Sequence, residues 1–239
     1  MRDEHAIVVA FSGIDGAGKS TQIGKLCQFV QNSSLSLSLL TFWDDIVAFS
    51  RLRERTSRKM FKGDSGVGSP GNPICRRDKN VRSWYVTTFR CALYAFDALS
   101  LRMNFYRRRR NADVLIFDRY IYDELANLPL HCTFVRLYAS VLLKIAPMPD
   151  VAFVLDANPE AACVRKPEYP LEFVRRNREA YLKISRMFGM TIIAEGSIDE
   201  TSQKIRDTIF PLVQHRSRKS HHSDLQQLSG RNPTNVPNC

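Results

Sequence analysis

One short run limits the fold of this chain more than any other: Gly13-Ile14-Asp15-Gly16-Ala17-Gly18-Lys19-Ser20, preceded by the apolar stretch Ala6-Ile7-Val8-Val9-Ala10-Phe11. The run fits G-x-x-x-x-G-K-S/T, and a buried strand before it with a helix after it is the setting that pattern requires. Glycines let successive backbone N–H groups converge on phosphate oxygens where a side chain would block the approach. The helix that begins near Lys19 adds its positive N-terminal end. Lys19 is placed to reach the β- and γ-phosphates of ATP, and the Ser20 hydroxyl to ligate Mg²⁺. The expected triphosphate site is therefore Gly13, Asp15, Gly16, Ala17, Gly18, Lys19, Ser20 and Thr21.

The remaining apolar runs of strand length are Leu35 to Trp43, Val114 to Phe117, Val151 to Leu155 and Thr191 to Ala194. Most are continuous rather than alternating, which indicates burial on both faces and hence a parallel sheet covered by helices. Segments of helical period span Ser20 to Gln31, Arg82 to Arg108, Leu171 to Phe188 and Ser197 to Val213. Strand–helix repetition of this kind predicts an α/β fold, the three-layer sandwich of P-loop NTPases, with a five-stranded parallel sheet and helices on both faces. One domain over residues 1–214 is ordinary for a chain of 239 residues. The polar tail, 215–239, lacks apolar periodicity and is expected to be disordered.

Composition removes other classes. No run of about 18 apolar residues exists, so no membrane span is expected. The charged N-terminus Met1-Arg2-Asp3-Glu4-His5 does not read as a signal peptide. Six scattered cysteines form no C-x-x-C pair, which suits reduced thiols in a cytoplasmic protein. The formal charge of +11 concentrates at Arg51 to Lys62, Arg76 to Arg82 and Arg107 to Arg110. No nucleic-acid module accompanies it, so a phosphate pocket plus a solvated basic face is preferred to nucleic acid. Gly63 to Pro73 reads as a mobile surface loop.

Asp118-Arg119-Tyr120 follows the strand Val114 to Phe117, at the strand end that opens onto the ligand crevice of a parallel sheet. Asp118 can hold a Mg²⁺-bound water there. Arg119 can offer its planar fork of donors to phosphate from either substrate.

The run Phe11 to Gln22, with Thr21-Gln22 after the loop, resembles the start of thymidylate kinases. Asp118-Arg119-Tyr120 resembles that family's second motif. Pro149 to Glu160 is similar to its fourth strand and following turn, and Arg176 to Leu182 to the helix after its lid. The likeness runs from residue 6 to about 210. It implies ATP·Mg²⁺ as donor, a nucleoside monophosphate as acceptor (dTMP first) and often a homodimer. It also implies a lid at about 163–171, Arg165-Lys166-Pro167-Glu168-Tyr169-Pro170 at its centre. The family draws its transition-state arginine from the P-loop or from the lid. Gly16 occupies the P-loop position here, so Arg165 is the leading candidate and Lys166 the second.

On the acceptor side the pattern departs from the family. Thr41-Phe42-Trp43-Asp44-Asp45 stands where an Arg-Glu-Pro-Gly-like segment is expected. Tyr94 falls at the base-stacking aromatic and Ala98 at the base-reading arginine, with Arg90 or Arg102 one turn away as substitutes. Tyr94 reads equally as helix core. Asp123 and Asn127 stand where a Ser and a Tyr are expected, and Asp15 suits a contact to the acceptor sugar or the Mg²⁺ shell. The substrate-binding set is therefore Asp15, Tyr94, Arg102, Arg119 and Asn127, and the catalytic set Lys19, Arg119, Arg165 and Asp118. Segment 51–82 could clamp a larger acceptor or be a solvated helix and loop. A kinase for another nucleotide or nucleoside, or a non-catalytic ATP-dependent switch protein, stays open beside the dTMP kinase reading.

Overall fold

The computed structural model describes residues 6–46, 84–130 and 132–229. Ile7–Ser12 (β1) is buried at every position because it lies in the middle of the sheet. It pairs in parallel with Val114–Asp118 (β3) on one side and Val151–Leu155 (β4) on the other. Leu37–Thr41 (β2) flanks β3, and Thr191–Ile193 (β5) flanks β4. The described strands thus make the expected five-stranded parallel sheet, in the order β2-β3-β1-β4-β5.

Alternation along β1 divides its side chains between two cores. Val8 and Ala10 face Leu101, Tyr122, Leu142 and Ile184. These come from Trp84–Arg108 (α2), Ile121–Leu125 (α3), Thr133–Ile145 (α4) and Leu171–Phe188 (α6). Ile7, Val9 and Phe11 face Ile23, Leu26, Ile205 and Ile209, from Lys19–Asn32 (α1) and Ile198–Ser229 (α7). Apolar residues were continuous in the sequence because both faces of the strand needed them.

Helix α1 buries Lys19, Gln22, Ile23, Leu26 and Val30, the i, i+3, i+4 stripe of an element packed along one face. Gly189 ends α6 in the left-handed conformation, φ 65°, where a residue without Cβ carries no steric cost. The short helix Pro159–Arg165 (α5) begins with Asn158, whose side chain accepts the Ala161 N–H at 3.0 Å, and has Pro159 in its first turn.

Some boundaries differ from the expected ones. The second strand ends at Thr41, and Phe42–Ile46 form a π-helical turn. The Asp45 carboxylate accepts the Thr41 N–H at 2.7 Å and draws the chain round, burying Phe42 and Ile46. Helix α7 carries helical backbone past the boundary expected at 214, through to Ser229. No glycine follows Ser197 before Gly230, and Pro211 does not end the helix. Once a helix is nucleated by a packed stretch, adding polar residues costs little. Helix α4 is not among the segments of helical period expected from the sequence, although Ala139, Leu142 and Leu143 carry the buried i, i+3, i+4 spacing. The basic segment 51–82 and the glycine-rich loop 63–73 lie outside the described residues. Among the described residues no helix is long and apolar enough to cross a membrane, and Cys27, Cys91, Cys132 and Cys163 are free thiols.

Phe153 on β4 is fully buried against Phe11, ring centroids 5.3 Å apart. Phe153→Ala should cost about 3–5 kcal/mol. For a domain of this size that lowers the midpoint of thermal unfolding by roughly 10 °C, measurable by calorimetry.

Candidate phosphate-binding site

The loop after β1 sits where its neighbours in the sheet diverge, at the carboxyl ends of the strands. Three glycines hold left-handed backbone: Gly13 at φ 139°, Gly16 at 84° and Gly18 at 85°. They differ in what surrounds them. A Cβ on Gly13 would lie 2.6 Å from the Leu155 carbonyl oxygen, and one on Gly16 would lie 2.5 Å from that of Ala162. Around Gly18 nothing approaches within 4 Å. The loop is therefore wedged against β4 and α5 on one side and open at its tip.

The Ala17 N–H donates to the Ile14 carbonyl at 3.2 Å and closes the turn. The first amide of α1 to bond backward is Gln22, to Gly18 at 3.1 Å. The amides of Lys19, Ser20 and Thr21 therefore have no intrahelical acceptor. They form the helix N-terminus that an anion can occupy. Lys19 is 7% exposed and donates to the Gly13 and Ile14 carbonyls, each at 2.8 Å. Burial, and next the positive charge of Arg119, lower its ammonium pKa to about 8 despite Asp15, Asp123 and Asp118.

Arg119 reaches the same place from β3. Its φ of 69° is one of two positive values among described non-glycine residues, a conformation that persists only where surroundings enforce it. Its backbone N–H donates to the Phe11 carbonyl at 2.9 Å. Its guanidinium donates to Asp15 Oδ1, and to Asp123 Oδ1 at 3.3 Å. Burial opposes its charge, but the carboxylates of Asp123 and Asp15 hold its pKa above the ordinary arginine value. Asp118 ends β3 in register with Phe11 of β1, and among the described residues its carboxylate has no hydrogen bond or ion pair.

The expected lid is the C-terminus of α5 and the turn after it. Arg165 Nε donates to the Gly16 carbonyl at 2.8 Å, and its Nη2 lies 3.7 Å from Glu195. Lys166 Nζ lies 3.9 Å from Asp15 and 3.2 Å from Glu168. Both basic residues therefore rest on the loop, with half of each side chain in solvent. Arg178 of α6 makes a two-toothed pair with Asp156, at 2.5 and 2.8 Å, just past the end of β4.

The structure thus gathers Asp15, Lys19, Arg119 and Arg165 around the loop, with Ser20 and Thr21 exposed at its rim. The other expected acceptor residues, Tyr94, Arg102 and Asn127, are dispersed. Tyr94 is 5% exposed and packs in the core with Ala98, which is fully buried. Arg102 turns away: it donates to the Ile145 carbonyl at 3.2 Å, capping the end of α4, and lies over the Tyr106 ring. The side chain of Arg90 lies outside the described residues. Asn127 stays near the site, its amide donating to the Asp123 carbonyl oxygen at 2.8 Å.

Three participants went unassigned in the sequence: Asp123, Ser12 and Tyr181. Ser12 Oγ and Tyr181 Oη donate to the Asp123 carboxylate at 2.6 and 2.7 Å. In the sequence, two signals point to this network: a polar residue, Ser12, at the end of a buried strand, and Asp123 at a position where a Ser is expected.

The donor set suits Mg²⁺. Among the described residues no group of three or more His, Cys, Asp or Glu could hold a metal ion. Mg²⁺ does not need such a cage, since it keeps waters and binds through one or two protein oxygens plus substrate phosphates. The Ser20 hydroxyl and the unbonded Asp118 carboxylate would supply those oxygens.

No protein-family model matches the chain. A curated protein of Archaeoglobus fulgidus, named as a probable thymidylate kinase, is 23% identical over 211 residues, which cover 85% of this chain and 94% of that protein.

Phosphates favour the ammonium form of Lys19, so a polyphosphate raises a pKa that otherwise lies near 8. Nucleotide binding at pH 8 should then take up roughly half a proton, and affinity should weaken as pH rises through this value. Calorimetry in buffers of different ionisation heat reads the uptake directly, and Lys19→Met should abolish it.

Proposed function

We propose that this chain is a nucleotide kinase that transfers the γ-phosphoryl group of ATP to a nucleoside monophosphate, with dTMP the first acceptor to test. The observation that carries this reading is the convergence of Lys19, at the start of α1, and Arg119, just past the end of β3, on one glycine loop. A protein that only held a triphosphate would not need Arg119 fixed beside the loop in a costly backbone conformation. The likeness to a probable thymidylate kinase along nearly the whole chain supports the same class.

In this reading the loop amides and Lys19 hold the β- and γ-phosphates, and Arg119 holds the acceptor phosphate. An oxygen of the acceptor phosphate bonds to the γ-phosphorus as the bond to the bridging oxygen breaks, and ADP leaves with that electron pair. Mg²⁺, when bound at Ser20 and Asp118, neutralises phosphate charge. Arg165 covers the charge spread over the transferred group and, with α5 seated on the loop, excludes water that would otherwise accept it.

ADP release measured over a panel of monophosphates tests the reading, and dTMP should stimulate it. Tight ATP binding that no acceptor converts to turnover would replace the kinase by a nucleotide-dependent switch. Arg165→Ala should lower turnover by about 10³-fold, the scale of a transition-state arginine, while ATP affinity holds.

A further inference from the structure

The loop, the arginine turn and the lid account for Asp15, Arg119 and Arg165, yet the most heavily bonded residue of the site is Asp123. It is 3% exposed. Its Oδ2 accepts the Ser12 hydroxyl at 2.6 Å and the Tyr120 N–H at 3.1 Å. Its Oδ1 accepts the Tyr181 hydroxyl at 2.7 Å and Arg119 Nη1 at 3.3 Å. An ionised carboxylate offers about four acceptor sites, and here donors from β1, the turn after β3, and α6 fill them. Such a group is fixed from every side.

Asp15 holds the same guanidinium in a different way. It lies on the loop, with 14% of its side chain exposed, and its Oδ1 is shared between Arg119 and Lys166. Lys166 is itself 44% exposed. One guanidinium is therefore gripped by two acids, one locked in the interior and one on the open edge of the site. An arriving phosphate can take the place of the second at lower cost than the first, because Asp15 is in part open to solvent and has the half-exposed Lys166 to turn to.

We propose that Asp123 is the positioning residue of this site: it fixes Arg119 from the buried side, so that a phosphate exchanges with Asp15 and finds the guanidinium already aimed. The same carboxylate joins α6, through Tyr181, to the arginine turn. The phosphate is the acceptor's only if the kinase reading holds; the fixing of Arg119 does not depend on it.

Two variants of the full chain test this, Asp123→Asn and Tyr181→Phe. The first removes the charge; the second removes one donor and leaves the carboxylate. The Arg119 Nε–Hε NMR resonance, assigned by its loss in Arg119→Lys, reports the guanidinium directly. Asp123→Asn should broaden or shift that resonance and raise the KM for the monophosphate about tenfold or more, the loss expected for a charge-assisted hydrogen bond, with the KM for ATP unchanged. Tyr181→Phe should give a smaller change of the same sign. An Asp123→Asn protein that is less heat-stable but keeps both the Arg119 resonance and the acceptor KM makes Asp123 structural only, and the proposal fails. Should Asp123→Asn not fold, Tyr181→Phe decides by the same two readings. If the wild-type chain uses no monophosphate, the kinase reading fails by itself. Titration with inorganic phosphate then decides: it should move the Arg119 resonance in wild type and not in Asp123→Asn, and equal movement in both overturns the proposal.

Discussion

An ammonium group sits almost out of solvent beneath a turn of its own chain, and the rest of the site is arranged around that fact. Lys19 has two main-chain carbonyls as partners and three carboxylates close enough to favour its charge, against the cost of leaving water. Glycine backbone at positions 13, 16 and 18 makes the turn tight enough for those carbonyls to converge. The sheet then sets what can stand opposite. With β1 between β3 and β4, the residues after those two strands, Arg119 and Asp156, come to the same end of the molecule as the loop.

Charge around Arg119 is balanced by several acids rather than by a single partner. Asp15 and Asp123 share Arg119, and Asp15 also faces Lys166. In a site shielded from water, such sharing keeps a cation ionised without tying it to one partner.

The sheet was legible because burial on both faces leaves continuous apolar runs such as Ile7-Val8-Val9-Ala10-Phe11, and the loop was legible because glycine and lysine at fixed spacing have few other uses. Arg119 could be read from its place after a buried strand. Arg102 could not. One helical turn of spacing puts it forward as a substitute for the arginine absent at Ala98, while its guanidinium donates to the end of α4, a contact between elements far apart in the chain. Tyr94 was ambiguous for the same reason, since an aromatic on a helix face looks alike whether it lines a pocket or fills a core. Asp123 was visible only as a departure from the expected serine. Its four donors come from residues up to 111 positions away, and no local pattern announces such a meeting. Phe42 shows the reverse case: its apolar character placed it in the strand, while Asp45 bends the chain before it.

The contact between Gly16 and α5 restricts how this chain could vary. Because the Ala162 carbonyl presses on the space that any side chain at position 16 would fill, the loop cannot acquire a cationic side chain there unless the helix moves away. Moving that helix would also withdraw Arg165, whose Nε is bonded to the same glycine. A cationic side chain at position 16 and Arg165 resting on the loop are thus mutually exclusive in this architecture, and passage from either to the other requires coordinated change at two sites far apart in sequence.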